Sequence, residues 1–331
     1  MSNKHLPVLT NSQMKMYRRC QKEAYLGYEL GYRAVVEAEA LRFGSLAHLG
    51  LEGWWLAAKS GADRLEAALL AMVGEADPFD LARAQEMLRG YHARWLDEPL
   101  EVIVVECEFR APLINPESNA PSRTFQLGGK LDVIVRDLRD GRVYKAEHKT
   151  SSEDIGVGSS YWKRLTLDPQ ISTYYAGARE LGFDVAGCIY DVLAKPGQRP
   201  LKATPEESRK YTKDGRLYAN QRAVDETPEE YAARLREAIA EAPDKFYQRG
   251  IVVRLEGEER DAAFDRWQIA RAYRESQLAG RWPRNPDSCV RWNRECCFFP
   301  VCTGTASIED STMFRRAEKI HEELSDGAAA A

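Results

Sequence analysis

The sequence predicts an α/β protein, because runs with the periodicity of strands alternate with longer stretches of helical periodicity. The clearest strand signal is a hairpin within 128–149, where apolar and polar side chains alternate on both sides of a Gly-containing turn. The clearest helical signals cover 61–98 and 170–181. Neither a strand-only nor a helix-only architecture accommodates all three observations.

Composition limits the class of protein. The chain has 331 residues, of which 44% are hydrophobic and 30% charged, which is typical of a soluble globular protein with one large domain or two smaller ones. No apolar run approaches the length of a membrane span, and the first ten residues lack a signal-peptide core. We therefore expect a cytoplasmic protein of a bacterial or phage-infected cell, with no membrane partner.

The net charge of −4 gives no bulk attraction for nucleic acid, so any contact with DNA requires a local basic groove. The other elements follow in chain order. Thr10 and Gln13 predict a capping box at the start of a helix, and Phe43–Ser45 predicts a second helix start. The remaining segments are predicted as a strand at 100–109, a polar loop at 110–125, a strand at 185–193, a basic loop at 195–226, and helices at 228–241 and 261–279.

The hairpin carries the first candidate site. Asp132 lies within the apolar run of its first strand, and the second strand ends in Glu147-His148-Lys149. Pairing of the two strands brings Asp132 and Glu147 together, and side-chain alternation places Lys149 on the same face as Glu147. Two carboxylates beside an ammonium group indicate a site for a hard divalent cation. The alternative is a solvated hairpin face with ordinary salt bridges.

The acidic hairpin resembles the D…E-x-K pattern of the PD-(D/E)XK nuclease superfamily. Two further motifs, in the same order along the chain, resemble its RecB-like branch. They are G-x-x-x-H at 44–48 and Q-x-x-x-Y at 170–174. The resemblance implies a restriction-endonuclease-like core, with a mixed central sheet flanked by helices in the order αβββαβ. Ordinary amphipathic helices would explain each of the two helical motifs on its own.

The resemblance also implies roles for individual residues. The metal ligands would be His48, Asp132, Glu147 and the backbone carbonyl of His148, and they would hold Mg²⁺ or Mn²⁺. Lys149 would orient the attacking water or neutralise the developing charge. The remaining implied catalytic residues are Gln170 and Tyr174, which would position the DNA strand.

Cysteines form the second candidate site. The spacing Cys289-x6-Cys296-x5-Cys302, together with the distant Cys20, resembles the four-cysteine iron–sulfur clasp of CRISPR-associated RecB-like nucleases. Four thiolates suit a [4Fe–4S] cluster, and Zn²⁺ is the competing metal. Cys297 is an alternative to Cys296, because choosing it changes each spacing by only one residue.

The resemblance implies a domain organisation. A single RecB-like nuclease domain is expected at 1–310, with a helical insertion at about 61–98 and a loop and helical insertion at about 195–280. The iron–sulfur clasp comprises Cys20 and 289–302. A C-terminal helix and a flexible tail are expected at 311–331.

Together these patterns favour a metal-dependent deoxyribonuclease. The expected activity is that of an exonuclease on single-stranded DNA or DNA ends, in repair, recombination or phage DNA metabolism. No P-loop sequence is present, so a helicase, or a single-strand annealing protein, would be a separate partner. The alternative is a catalytically inert or partner-activated DNA-binding protein with a nuclease fold, which a metal-dependent cleavage assay would distinguish.

Overall fold

A computed structural model describes residues 6–74, 76–291, 294–322 and 324 of the chain. Within these residues the strands are β1 (Val8–Thr10), β2 (Tyr32–Ala34), β3 (Leu100–Ile114), β4 (Pro121–Asp137), β5 (Val143–Ser151), β6 (Gly187–Ala194), β7 (Tyr247–Val252), β8 (Val290–Arg291), β9 (Arg294–Glu295) and β10 (Phe314–Arg316).

The helices of the same described residues are α1 (Asn11–Arg19), α2 (Gln21–Ala24), α3 (Glu39–Ser60), α4 (Arg64–Ala71), α5 (Pro78–Trp95), α6 (Ser160–Leu165), α7 (Pro169–Glu180), α8 (Pro228–Glu241), α9 (Pro243–Phe246), α10 (Glu256–Ala279) and α11 (Phe299–Thr303). A π-helical turn at Tyr25–Glu29 follows α2. None of the helices in this part of the chain is long and apolar enough to cross a membrane.

A mixed six-stranded sheet forms the centre of the fold, in the order β1-β4-β5-β6-β7, with β3 also pairing to β4. The long strand β4 pairs antiparallel with β3 along its whole length. β5 and β6 are parallel, and β7 closes the sheet antiparallel to β6. The path α3-β3-β4-β5-α7-β6 gives the expected αβββαβ order, and the helices flank the mixed sheet as predicted.

Strand β4 has an interrupted edge at the position where the site lies. On the edge opposite β3, β1 pairs with Gln126–Gly128 and β5 pairs with Val133–Arg136. Between these two segments, 129–132 has no strand partner on that edge among the described residues. The ladder of strand pairs is therefore interrupted inside an otherwise continuous sheet.

Helix α7 can pack on the sheet because two glycines leave room for Phe109. A Cβ atom at Gly177 of α7 would lie 2.6 Å from the Phe109 ring, and one at Gly129 of β4 would lie 2.9 Å from it. The Gly129 position would also approach Tyr174 at 3.0 Å. The glycines thus set the height of α7 above β3 and β4.

The two end regions of the chain meet in a small lobe. Strands β2 and β10 pair antiparallel, and a separate hydrophobic cluster forms beside them from Leu26, Tyr32, Phe298 and Phe314. The C-terminal helix expected within 311–331 is wrong for the described residues, which contain β10 instead. Phe314 is buried there, and its ring stacks on Phe298 at 5.6 Å. Residues 325–331 of the expected helix and flexible tail at 311–331 lie outside the described residues.

The structure differs in several details from the sequence-based predictions. The polar loop predicted at 110–125 is mostly strand, because Ala111, Leu113 and Phe125 are buried when β3 and β4 pair along this stretch. Helix α3 begins at Glu39, about one turn before the predicted start. Thr10 caps α1 as expected, but the Gln13 side chain donates to the Tyr273 hydroxyl at 2.8 Å rather than completing a capping box.

Candidate active site

The interrupted edge of β4 brings the two predicted acids together. Where β4 and β5 separate, the carboxylate of Asp132 accepts a hydrogen bond from the backbone N–H of His148 at 2.8 Å. The side chain thereby replaces the backbone acceptor that a continuous ladder would supply. Glu147, the residue before His148, is 1% exposed and faces the same site.

Glu147 is surrounded by donors on one face of β5. Lys149, two residues later, donates to its Oε1 atom, and Lys145, two residues earlier, donates to its Oε2 atom. Gln170 of α7 donates to Oε1 at 2.8 Å. Strand alternation places the three charged side chains on one face, and α7 covers that face.

The surroundings hold Glu147 in its ionised form. Burial alone would raise the pKa of this carboxyl, but the ammonium groups of Lys145 and Lys149 lower its pKa to about 2. Burial would lower the pKa of Lys149, but Glu147 and Asp132 raise it above its usual range. The site is therefore an ion network at neutral pH rather than a set of neutral groups.

His48 reaches the same site from α3. Its pKa is lowered, first by burial, which outweighs the opposing effect of Asp132. The imidazole is therefore neutral near pH 7, which is the form that binds a metal ion. Gly44, one turn earlier on α3, faces Thr150 of β5, with 3.9 Å between the Thr150 hydroxyl and the position of a Gly44 Cβ. The G-x-x-x-H segment thus runs beside the C-terminal end of β5.

Helix α7 presents the predicted Q-x-x-x-Y pair to the acids. The carboxylate of Asp168 caps its N-terminus by accepting from the Gln170 N–H at 2.9 Å. The Gln170 side-chain amide lies between Glu147 and Tyr174, and it approaches the Tyr174 hydroxyl at 2.9 Å. Burial, followed by the charge of Glu147, raises the pKa of Tyr174, so its hydroxyl stays protonated.

Two further residues also belong to this arrangement: Lys145, which sequence reasoning did not assign, and Glu106, which it ranked below Asp132. Lys145 is fully buried, and its ammonium group lies 4.0 Å from the centre of the Tyr174 ring. The alternation K-x-E-x-K was the signal that could have identified it. Glu106 of β3, beside Asp132 in the sheet, has a left-handed backbone (φ 52°) and forms an ion pair with Lys130. Burial is the main cause of its raised pKa.

The His148 side chain points away from the acids, to the other face of β5. Its Nδ1 atom lies 3.2 Å from Asp191 on β6, and its ring is 5.7 Å from that of Trp55. Asp191 also accepts from the Tyr91 hydroxyl at 2.6 Å and from Arg249 at 2.9 Å. This buried polar network holds β5 in place on the face opposite the acids. It leaves only the backbone of His148 on the side of the acids.

The structure also brings together the four cysteines of the second candidate site. Cys20, Cys289, Cys296 and Cys302 all line one cavity between the start of α2 and α11. Burial raises the pKa of Cys302, and the other three thiols add to the rise, which reflects their proximity. Cys297 is exposed and is not part of the lining.

The cavity lining contains donors for thiolate ligands and one carboxylate, Glu23, which pairs with Arg19. The backbone N–H of Asn285 donates to the sulfur of Cys20 at 3.4 Å, and Arg284 is part of the lining. Among the residues that the structure describes, no three His, Cys, Asp or Glu side chains are arranged around the position of a single metal ion. At the acidic site the oxygens of Glu147 contact lysines instead.

Comparison with known proteins identifies the class to which this fold and site belong. The family model of the PD-(D/E)XK nuclease superfamily matches residues 8–303. The chain therefore belongs to the PD-(D/E)XK nuclease superfamily, as the hairpin motif predicted. No curated protein matches the chain.

Among solved structures, one described as "Crystal structure of SSO0001" is similar at 16% sequence identity. The match covers 70% of this chain and 84% of that chain, with a TM-score of 0.21. A likeness at this level carries no argument about the present protein.

The buried ion pair makes a testable prediction about stability. Replacing Glu147 by Gln leaves Lys145 fully buried without its carboxylate, so we expect the metal-free protein to lose about 3–5 kcal/mol of unfolding free energy. The double variant Lys145→Met/Glu147→Gln removes both charges and should recover most of the loss. Urea unfolding in EDTA measures both variants.

Glu101→Gln is the matched control, because it breaks an exposed pair with Arg136 and should cost less than about 1 kcal/mol. Equal losses in the single and double variants would contradict the prediction. The stability that the Glu147 carboxylate supplies should be complete above its ordinary pKa of 4.5 and should be lost as the pH falls towards about 2.

Proposed function

We propose that this chain is a metal-dependent deoxyribonuclease of the RecB-like branch, acting as an exonuclease on single-stranded DNA or DNA ends. The arrangement of Asp132, Glu147 and Lys149 at the interrupted edge of β4 carries the proposal, because PD-(D/E)XK folds hydrolyse phosphodiesters with this group of side chains. Gln170, Tyr174 and His48 adjoin the same site, which supports the RecB-like assignment.

The donor set fits Mg²⁺ or Mn²⁺. Asp132 and Glu147 provide carboxylates, the second of which is ionised because of its low pKa, and His48 provides a neutral imidazole. The backbone carbonyl of His148 is the proposed fourth ligand. A bound divalent ion lowers the pKa of a coordinated water and offsets charge on the phosphate.

The remaining side chains have their own roles in this proposal. Lys149 is protonated and next to Glu147, so it neutralises charge that develops on the phosphate or orients the water. Gln170 keeps Glu147 in place and, with the protonated hydroxyl of Tyr174, offers hydrogen bonds to the DNA strand. The Phe109 ring packs edge-on against Tyr174 at 5.8 Å, which helps to hold the tyrosine in this position.

For the cysteine cavity we propose a [4Fe–4S] cluster held by Cys20, Cys289, Cys296 and Cys302. Their common cavity supports this set, and the exposure of Cys297 favours Cys296 as the ligand. The cluster has a structural role, because hydrolysis transfers no electrons. Zn²⁺ is the alternative metal.

We also propose the domain organisation that the resemblance implies. One nuclease domain spans about 1–310, with additions at 61–98 and 195–280. The activity belongs to repair, recombination or phage DNA metabolism, and a helicase or a single-strand annealing protein is the proposed partner.

Cleavage of end-labelled DNA tests the activity. The protein, purified without oxygen, should release label from linear single-stranded or double-stranded DNA with Mg²⁺ or Mn²⁺ and not with EDTA. Closed circular DNA should stay intact, because an exonuclease needs an end. Nicking of circular DNA would show that the protein is an endonuclease and not an exonuclease. Absence of cleavage by folded protein supplied with metal would favour an inert nuclease fold.

A further inference from the structure

A basic groove lies on the N-terminal helices, outside the residues assigned above to cleavage. It consists of two adjoining cavities of about 460 and 490 Å³, which share Pro283 and Arg284. The basic groove is defined here by the side chains Arg18, Lys22, Tyr25, Arg281, Trp282 and Arg284.

The backbone fixes the shape of the basic groove. Gly280, with a left-handed φ of 61°, ends α10 and turns the chain back towards α2. The carbonyl of Pro283 then accepts from the backbone N–H of Lys22 at 3.0 Å. The segment with two arginines and a tryptophan is thus attached to the helix that carries Lys22 and Tyr25.

Two aromatic rings form one wall of the groove. Tyr25 and Trp282 stack with centroids 5.4 Å apart and an angle of 29° between their planes. Trp282 also packs edge-on against Tyr273 at 5.2 Å, which holds it in place. Both rings of the stack are half-buried and line the cavity, and the Lys22 ammonium lies over the Tyr25 ring at 4.7 Å.

The charge of the groove is of one sign. None of the described residues that line either cavity carries a carboxylate. Arg18, Lys22 and Arg281 form no ion pair with any described residue, whereas the neighbouring Arg19 pairs with Glu23. In a chain whose net charge is −4, a lining that carries cations and no carboxylate is a local positive patch that attracts polyanions.

We infer that the basic groove binds single-stranded DNA, with its cations on the phosphates and the Tyr25–Trp282 pair stacking on an unpaired base. Cations alone would also bind an acidic peptide. Proteins that bind single-stranded DNA combine cations, which contact the phosphates, with aromatic rings, which stack on the bases. This inference rests on the proposed function, because the groove would be a second contact for the DNA strand that the nuclease cleaves.

Binding without cleavage tests the inference. A fluorescent single-stranded oligonucleotide is titrated against protein carrying Asp132→Asn in EDTA, across a range of salt concentrations. Adding Arg18→Gln/Arg281→Gln should weaken binding about tenfold and reduce the salt dependence by about 0.7 in logarithmic slope for each lost phosphate contact. Arg94→Gln/Arg142→Gln is the matched control, because both arginines are exposed outside the groove and should change neither quantity.

The outcomes separate the inference from the proposed function. Equal weakening by the groove pair and the control pair overturns the inference, even if the wild-type protein cleaves DNA. Binding that depends on the groove, in a protein that never cleaves DNA, supports the inference and overturns the proposed function. Failure of the Asp132→Asn protein to bind the oligonucleotide overturns the inference alone, because cleavage of labelled DNA decides the proposed function separately. Competition by poly-glutamate as strong as that of DNA overturns the assigned ligand.

Discussion

Asp132→Asn is expected to abolish metal-dependent cleavage, with a loss of roughly 10³-fold or more, while leaving the fold intact. The amide oxygen of asparagine can still accept the His148 N–H that the carboxylate accepts in the wild-type protein. The substitution therefore keeps the junction between β4 and β5 and removes only the negative charge available to a cation.

The choice of Asp132 follows from the difference between the two acids. Glu147 neutralises a fully buried lysine, so its removal would confuse lost activity with lost stability. Among the described residues, Asp132 forms no ion pair with a fully buried lysine. Cleavage rates, unfolding midpoints and Mn²⁺ binding by calorimetry should be measured together, and the expected pattern is loss of cleavage and of Mn²⁺ affinity with an unchanged midpoint.

Asp140→Asn is the matched control, because Asp140 lies in the turn between the same two strands. It should retain wild-type activity. An Asp132→Asn variant with full activity would remove the proposed cleavage site altogether.

Serine substitution of each proposed cluster ligand is the second change with a large expected effect. Cys20→Ser, Cys289→Ser, Cys296→Ser and Cys302→Ser should each eliminate bound iron and the brown absorption of the protein. By analogy with a cross-link that closes a very long loop, the loss should lower the Tm by about 10 °C. Iron, sulfide and zinc analysis of anaerobically purified protein provides the measurement.

Cys297→Ser is the control that the structure provides, because this thiol is exposed and outside the cavity. It should retain iron and stability. If Cys297→Ser loses the metal and Cys296→Ser keeps it, the ligand assignment is reversed. Stoichiometric zinc without iron would exclude the iron–sulfur cluster.

The sequence predicted the site best where short-range alternation decides the geometry. Lys149 must share a face with Glu147 because they are two residues apart on a strand, and the structure places them in contact. The same rule applied to Lys145, but a lysine in a strand is usually solvent-exposed. Its burial depends on α7, whose position over the sheet is set by Phe109 and two distant glycines.

Local sequence patterns could not predict the pairing of strands that lie far apart in the chain. The three residues of β1 form a strand only because β4 offers a free edge next to the site. β2 and β10 are equally short and lie far apart in the chain, so neither has a recognisable periodicity of its own. The same holds for the extended ends of β3 and β4, whose polar residues resemble a loop until the partner strand is present.

The small lobe built from both end regions has a consequence for synthesis on the ribosome. Leu26 and Tyr32 emerge from the ribosome long before Phe298 and Phe314, the partners that bury them. Until those partners are translated, Leu26 and Tyr32 remain available to chaperones or to other nascent chains. The nuclease core can form before the lobe is complete, so a stalled chain that lacks Phe314 would have a formed sheet and an open lobe.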